Sequence, residues 1–349
     1  MSLYLKQRTN FLKTVCNNAL NNLLRNLSFG LYCKPERVLI FPTLRCNLRC
    51  KHCYLLQHPE EELATDKWIK IIINLQKWLG SFPLAITGGE PLMREDLFKI
   101  INFSHKLGLV TILNTNGTLI DKGTAEKLVK SGLDIICISL DGFKEETQDN
   151  LRGKGVYKKV MSAIGYIKNQ IRLQIRTTIL QQNLDEILKL VEFAKENRLT
   201  ISFSGLFPSR MDTDVQNNDL WPKDKEKIDW VFDQLILKKK KYHNIRNPVR
   251  HLRIIKSYYQ QSDEHRYYCC QVYQKNYNIM HNGIVRLCHG FEPIGDIATA
   301  APDAIWNSRA ILKEGMKRCK FNCSFMNCRF HENLLEKIVL FKDMFLHFT

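Results

Sequence analysis

Apolar and polar positions alternate in blocks through the middle of the chain. Short apolar runs such as Val38-Leu39-Ile40-Phe41 predict buried strands at 37–42, 83–87, 109–113, 134–139, 172–179 and 200–205. Between them, apolar residues recur at three- and four-residue spacing, which predicts helices over 66–79, 95–107, 121–131, 155–169, 184–197 and 223–240. Strand–helix units in series imply an α/β fold with a parallel sheet, because each crossover is a helix. Periodicity does not distinguish a doubly wound sheet from a partial barrel. Either one gathers its ligands beyond the carboxyl ends of the strands.

The flanks have a different pattern. Leu12, Cys16, Ala19, Leu20, Leu23 and Leu27 recur at helical spacing, so residues 3–28 read as a basic amphipathic helix that Gly30 ends. Such a helix packs on the domain, binds a partner, or lies on an anionic membrane. Residues 206–250 are polar, with Pro208, Pro222, Pro248 and a run of lysines from Lys238 to Lys241. The reading therefore divides the chain into an N-terminal segment (1–35), an α/β domain (36–240) and a small Cys-rich domain (241–349). Within the last, Tyr277 to Cys288 reads as a hairpin turning at Asn282-Gly283. Residues 302–318 read as a short helix containing Trp306.

Charge and cysteines narrow the picture. A formal net charge of +17 over 349 residues suits acidic partners or a basic surface. Nucleic acid is disfavoured as a partner, because charge alone supports it and no RNA-binding module is visible. The twelve cysteines fall into groups at metal-ligand spacing rather than a disulfide framework. Asn17, Asn18, Asn21, Asn22 and Arg25 break the first segment, so it lacks the apolar core of a secretory signal. A reducing cytoplasm fits this usage, with peripheral membrane contact as the alternative.

The candidate chemistry begins at Cys46, Cys50 and Cys53, spaced C-x3-C-x2-C on a short loop after the first strand. Three thiolates are one fewer than a closed four-iron cluster uses. They leave one iron open, as catalytic metal sites do. Zinc is the competing reading, with His52 as a poorly placed fourth ligand. Three further motifs also follow strands: Gly88-Gly89-Glu90-Pro91, Asn116-Gly117 and Ser139-Leu140-Asp141-Gly142.

In this order the motifs resemble the radical S-adenosylmethionine (radical SAM) superfamily, over roughly residues 36–235. The resemblance implies a partial (β/α)6 barrel with a 4Fe-4S cluster on Cys46, Cys50 and Cys53. It places S-adenosylmethionine on the open iron, to be cleaved by one electron into a radical that takes hydrogen from substrate. It also implies an electron donor such as flavodoxin or ferredoxin. Gly88 and Gly89 would let the backbone approach the methionine amino group, and Glu90 and Pro91 complete that motif. Ser139 and Asp141 sit where the family contacts ribose or carboxylate. Arg152 is a candidate carboxylate clamp, with Arg176 as its rival. Asn116 is a further contact or a turn cap, and Tyr54 packs beside the adenine.

Cys270-x12-Gly283-x4-Cys288 resembles the opening of SPASM and twitch auxiliary-cluster domains, although the ending departs from the full SPASM pattern. One auxiliary 4Fe-4S cluster on Cys270, Cys288, Cys319 and Cys323 is the reading, with Cys269 and Cys328 as substitutes and zinc as the alternative. Cys16, Cys33 and Cys137 read as ordinary thiols. The expected function is radical modification of a peptide or protein. The alternatives are a lipid or small-metabolite substrate, and a protein that only binds an iron–sulfur cluster.

Overall fold

The computed structural model describes residues 34–53, 55, 61–207, 219–261, 272–288 and 290–312, with residues 9, 12–14, 16 and 17 of the N-terminal segment. Six parallel strands form the centre: β1 (Arg37–Thr43), β2 (Pro83–Gly88), β3 (Val110–Thr115), β4 (Ile135–Ser139), β5 (Arg172–Thr178) and β6 (Thr200–Ser204). Each lies beside its sequence neighbour, in the order β6-β5-β4-β3-β2-β1. A doubly wound sheet would reverse direction partway; this one does not, so the winding is that of an open barrel.

The helices are α1 (Thr65–Leu79), α2 (Leu97–Lys106), α3 (Lys122–Lys130), α4 (Glu145–Arg152), α5 (Val156–Ile167), α6 (Ile187–Glu196), α7 (Lys225–Lys241) and α8 (Val249–Gln260). Their apolar stripes explain why they form here. In α1, Trp68, Ile71, Ile72, Leu75 and Leu79 are buried, at the spacing of one helix face. They join Val38, Ile40, Leu84 and Ile86 from the strands in one core.

Two helices escape the sequence reading. Helix α4 carries one aliphatic residue, Leu151, among Glu145, Glu146, Thr147, Gln148, Asp149 and Asn150, so no apolar stripe announces it. Helix α8 begins inside the stretch read as polar connection; its buried face includes Leu252, Ile254, Ile255, Tyr258 and Tyr259.

The sheet also continues past the expected boundary near residue 240. Strand β7 (Asn276–Ile279) pairs in parallel with the free edge of β1, placing Arg37 opposite Asn276 and Ile40 opposite Ile279. It then turns at Asn282-Gly283 into the antiparallel strand β8 (Ile284–Arg286), as the sequence predicts for a hairpin, and β9 (Gly295–Asp296) follows. Gly283 has φ 92°, a left-handed value that this turn needs. Helix α9 (Pro302–Asn307) ends far short of 318, giving way to a 3-10 turn, Ser308–Leu312. Its Trp306 packs 6.1 Å from Tyr277 and 6.5 Å from Trp78, ring centre to ring centre.

Thr14 and Asn17 of the N-terminal segment reach the end of α1 and the residues just after it. Asn17 donates 2.7 Å hydrogen bonds to the carbonyls of Leu79 and Ser81, satisfying the end of α1. Thr14 meets the Ser81 hydroxyl at 2.7 Å. No helix among the described residues is long and apolar enough to cross a membrane.

Candidate functional site

Cys46, Cys50 and Cys53 sit on the loop beyond the carboxyl end of β1, each partly exposed. The loop starts under tight control. Thr43 and the guanidinium of Arg45 meet the Glu62 carboxylate, with Arg45 Nε 2.8 Å away. Arg94, buried, donates to the carbonyls of Pro42 and Leu63 at 2.9 Å each. The peptide Cys53 N–H then closes on the Cys50 carbonyl at 3.1 Å.

The Gly-Gly-Glu turn is pressed against this start. The Gly89 amide donates to the Thr43 carbonyl at 3.0 Å, and the Glu90 amide to the Arg45 carbonyl at 2.7 Å. A Cβ on Gly88 would stand 2.3 Å from the Thr43 oxygen, and one on Gly89 2.1 Å from the Arg45 oxygen. No side chain fits at those separations, so glycine is required here by the close approach of two backbones. Pro91 begins the short turn Pro91–Met93.

Glu90 is fully buried and holds a neighbouring loop. Its carboxylate accepts from the Leu92 amide (3.1 Å), the Thr115 hydroxyl (2.7 Å) and the Asn116 amide (2.7 Å). Burial pushes its pKa up to about 7, against the pull of those donors. Asn116 in turn donates to Asn47 Oδ1 at 2.9 Å and points Nδ2 at Cys46 Sγ, 3.8 Å away. Its own Oδ1 accepts from the Thr118 amide at 2.9 Å, so it both caps its turn and faces the cysteine loop.

On the other side stands a buried charged group. Asp141, fully buried, takes Arg152 Nε on Oδ2 at 2.7 Å and the Thr178 amide on Oδ1 at 2.8 Å. Burial raises its pKa, but the Arg152 charge and these hydrogen bonds outweigh that and hold it low. Arg152 Nη1 reaches 3.9 Å from Cys50 Sγ, and Nη2 lies 3.4 Å from His52 Nε2. Burial keeps His52 neutral, with its pKa lowered to about 4. His52 Nε2 also lies 3.5 Å from Asp141 Oδ2. That nitrogen therefore faces the buried Asp141–Arg152 pair.

Ser139 ends β4, opposite Arg176 of β5 in register. Arg176 Nε is buried without a hydrogen-bond partner. Tyr54 lies outside the described residues, as do Cys270, Cys319 and Cys323. Cys288 follows β8 and accepts the Gly290 amide on Sγ at 3.4 Å. The sequence reading missed Asn47, Gln148 and Asn183. Gln148 Oε1 receives the Asp141 amide at 2.8 Å, and Asn183 donates to the Asp141 carbonyl at 2.8 Å. Asn47 and Asn183 work through partners 69 and 42 positions away, and Gln148, on a helix without an apolar stripe, through one seven positions away.

The donor set suits an iron–sulfur cluster with an open iron. Three thiols share one loop, and N–H donors face two of the sulfurs: Leu48 N at 3.4 Å and Asn116 on Cys46, Arg152 on Cys50. Among the described residues, no three His, Cys, Asp or Glu side chains converge as ligands of a single metal ion. Burial pushes the Cys46 thiol up, and the Cys50 thiol to about 11 with Arg152 opposing, so loading must displace protons.

Residues 40–194 match the family model described as the radical SAM superfamily. Over 197 residues the chain is 34% identical to the AdoMet-dependent heme synthase of Methanosarcina barkeri, covering 55% of this chain and 56% of that protein. It is 32% identical over 182 residues to the PqqA peptide cyclase of Rhizobium meliloti, covering 49% and 48%. The chain thus spans about half the length of these curated relatives. The fold is similar to that of Streptococcus suis SuiB bound to its precursor peptide SuiA: TM-score 0.66, 21% identity, 85% of this chain and 70% of that one.

Proposed function

We propose, from the match of residues 40–194 to the radical SAM family model, that the protein is a radical SAM enzyme whose substrate is a peptide or protein. Cys46, Cys50 and Cys53 would hold a 4Fe-4S cluster, with S-adenosylmethionine bound beside it. Bound together, these groups supply one-electron cleavage of the sulfonium and a radical able to remove hydrogen from carbon. The chain's own residues fix the geometry. Gly88 and Gly89 bring the Gly-Gly-Glu-Pro turn, ending at Glu90 and Pro91, against the cysteine loop. Glu90 and Asn116 align the β3 loop beside Cys46. Ser139, at the end of β4, would contact the ribose or carboxylate of S-adenosylmethionine, and Tyr54 would be its adenine contact.

The observation that carries this reading is the three-thiol loop stapled to the Gly-Gly-Glu turn beyond the carboxyl ends of parallel strands. Likeness to a peptide cyclase supports the substrate class. A small-metabolite substrate is the second reading, supported by the likeness to a heme synthase. The auxiliary cluster on Cys270, Cys288, Cys319 and Cys323 belongs to the same proposal. Those cysteines would hold it, electron transfer is the chemistry it would supply, and flavodoxin or ferredoxin would be the electron donor.

Anaerobic reconstitution tests all of this. Wild type should bind about eight irons if both clusters form and about four if only the first does. It should release 5′-deoxyadenosine after dithionite reduction. Replacing Cys46, Cys50 and Cys53 together by alanine should abolish that release and remove about four irons. A triple variant that still cleaves S-adenosylmethionine would sink the assignment.

A further inference from the structure

We infer that Arg152, braced by Asp141, makes the cluster on Cys46, Cys50 and Cys53 easier to reduce, acting through Cys50 as a positioning residue rather than as a clamp for the cofactor carboxylate. The inference rests on the proposed cluster.

Three successive residues at the end of α4 seize the cysteine loop. The Asn150 side chain takes Lys51 Nζ, the Leu151 carbonyl takes the Lys51 amide at 3.0 Å, and Arg152 faces Cys50 Sγ at 3.9 Å and His52 at 3.4 Å. Every guanidinium nitrogen is thereby turned toward Asp141 or that loop. Arg152 is buried, and Asp141 has no exposed surface at all. The pair cannot swing away, because Asp141 is tied to the β5 end through Thr178 and to the following turn through Asn183.

Placement fixes the sign of the effect. Reducing a cluster adds one negative charge to the iron–sulfide core and its thiolates. A buried guanidinium within reach of one of those sulfurs stabilises that added charge. Asp141 is the farther member of the pair, with the guanidinium between its carboxylate and Cys50, and it opposes the effect. The two residues therefore act on reduction in opposite directions, which a purely structural pair would not do.

The test uses the full chain, reconstituted anaerobically, as wild type, Arg152→Lys, Arg152→Gln and Asp141→Asn. Iron and sulfide are counted first. The ratio of reduced to oxidised cluster is then read by electron paramagnetic resonance at fixed potentials, without S-adenosylmethionine. At a given potential Arg152→Gln should lower that ratio about tenfold, equivalent to about 59 mV for one electron. Asp141→Asn should raise it, and Arg152→Lys should stay near wild type. Arg152→Gln and Asp141→Asn shifting the same way, or neither shifting with iron intact, overturns the inference. Should Arg152→Gln fail to hold iron, Asp141→Asn decides, and an unchanged or lowered ratio there overturns it. A wild type that takes up no iron at all instead defeats the proposed function, a separate and earlier failure.

Discussion

At Glu90 a single carboxylate links two loops from different strands. Three donors converge on it, yet burial still lifts its pKa to about 7, well above the ordinary 4.5. In the unfolded chain it ionises near that ordinary value. Its contribution to stability is thus present below about pH 4.5 and is lost as pH rises through about 7, by at most about 3 kcal/mol. We expect the urea midpoint of wild type to fall between pH 5 and pH 8, and Glu90→Gln to remove that part of the dependence. The same slope in both proteins would contradict this. Gly89 offers a steric test. Its missing Cβ would lie 2.1 Å from a backbone oxygen, so Gly89→Ala should cost more than about 1 kcal/mol and reduce iron loading. Full loading with an unchanged midpoint would show that the two backbones part easily. The sequence located the Gly-Gly-Glu turn through its spacing after a strand. It did not reveal that the turn rests on Thr43, Leu44 and Arg45, since nothing local records a contact across the 44 positions from Arg45 to Gly89.

Among the elements, legibility followed apolar content. Helices α1 and α6, with continuous buried stripes, were readable to within a few residues. Helix α4 was not, because its purpose is polar: it presents Gln148, Leu151 and Arg152 to Asp141 and the cysteine loop. Of the helix read over residues 3–28, only residues 9, 12–14, 16 and 17 lie among the described residues, the rest falling outside them. Asn17 supplies a donor to two carbonyls at the end of α1, so Asn17→Ala should lower stability by about 1–2 kcal/mol in urea. No loss would mean that water replaces the amide without cost.

For the whole molecule, the six-unit order was anticipated, while its outer edge was not. Hydrophobic runs specify a strand but not its neighbour, and β7 reads equally well as the start of a separate hairpin. Its pairing with β1, and the stack of Trp78, Tyr277 and Trp306, make residues 276–307 part of the barrel's own core. Trp306→Ala should cost about 3–5 kcal/mol and shift a single unfolding transition. A separate early transition that leaves the barrel signal unmoved would assign α9 to an independent unit.

That edge pairing has a consequence for biosynthesis. As the chain leaves the ribosome, β1 gains β2 within about fifty residues, but its other partner follows only after about 240. Throughout that interval the strand that launches Cys46, Cys50 and Cys53 has a bare flank. The cradle for those thiols reaches its final shape only once β7 has been made. Iron and sulfide inserted before β7 emerges would be filling an unfinished container, so delivery by the assembly machinery should follow the emergence of that strand.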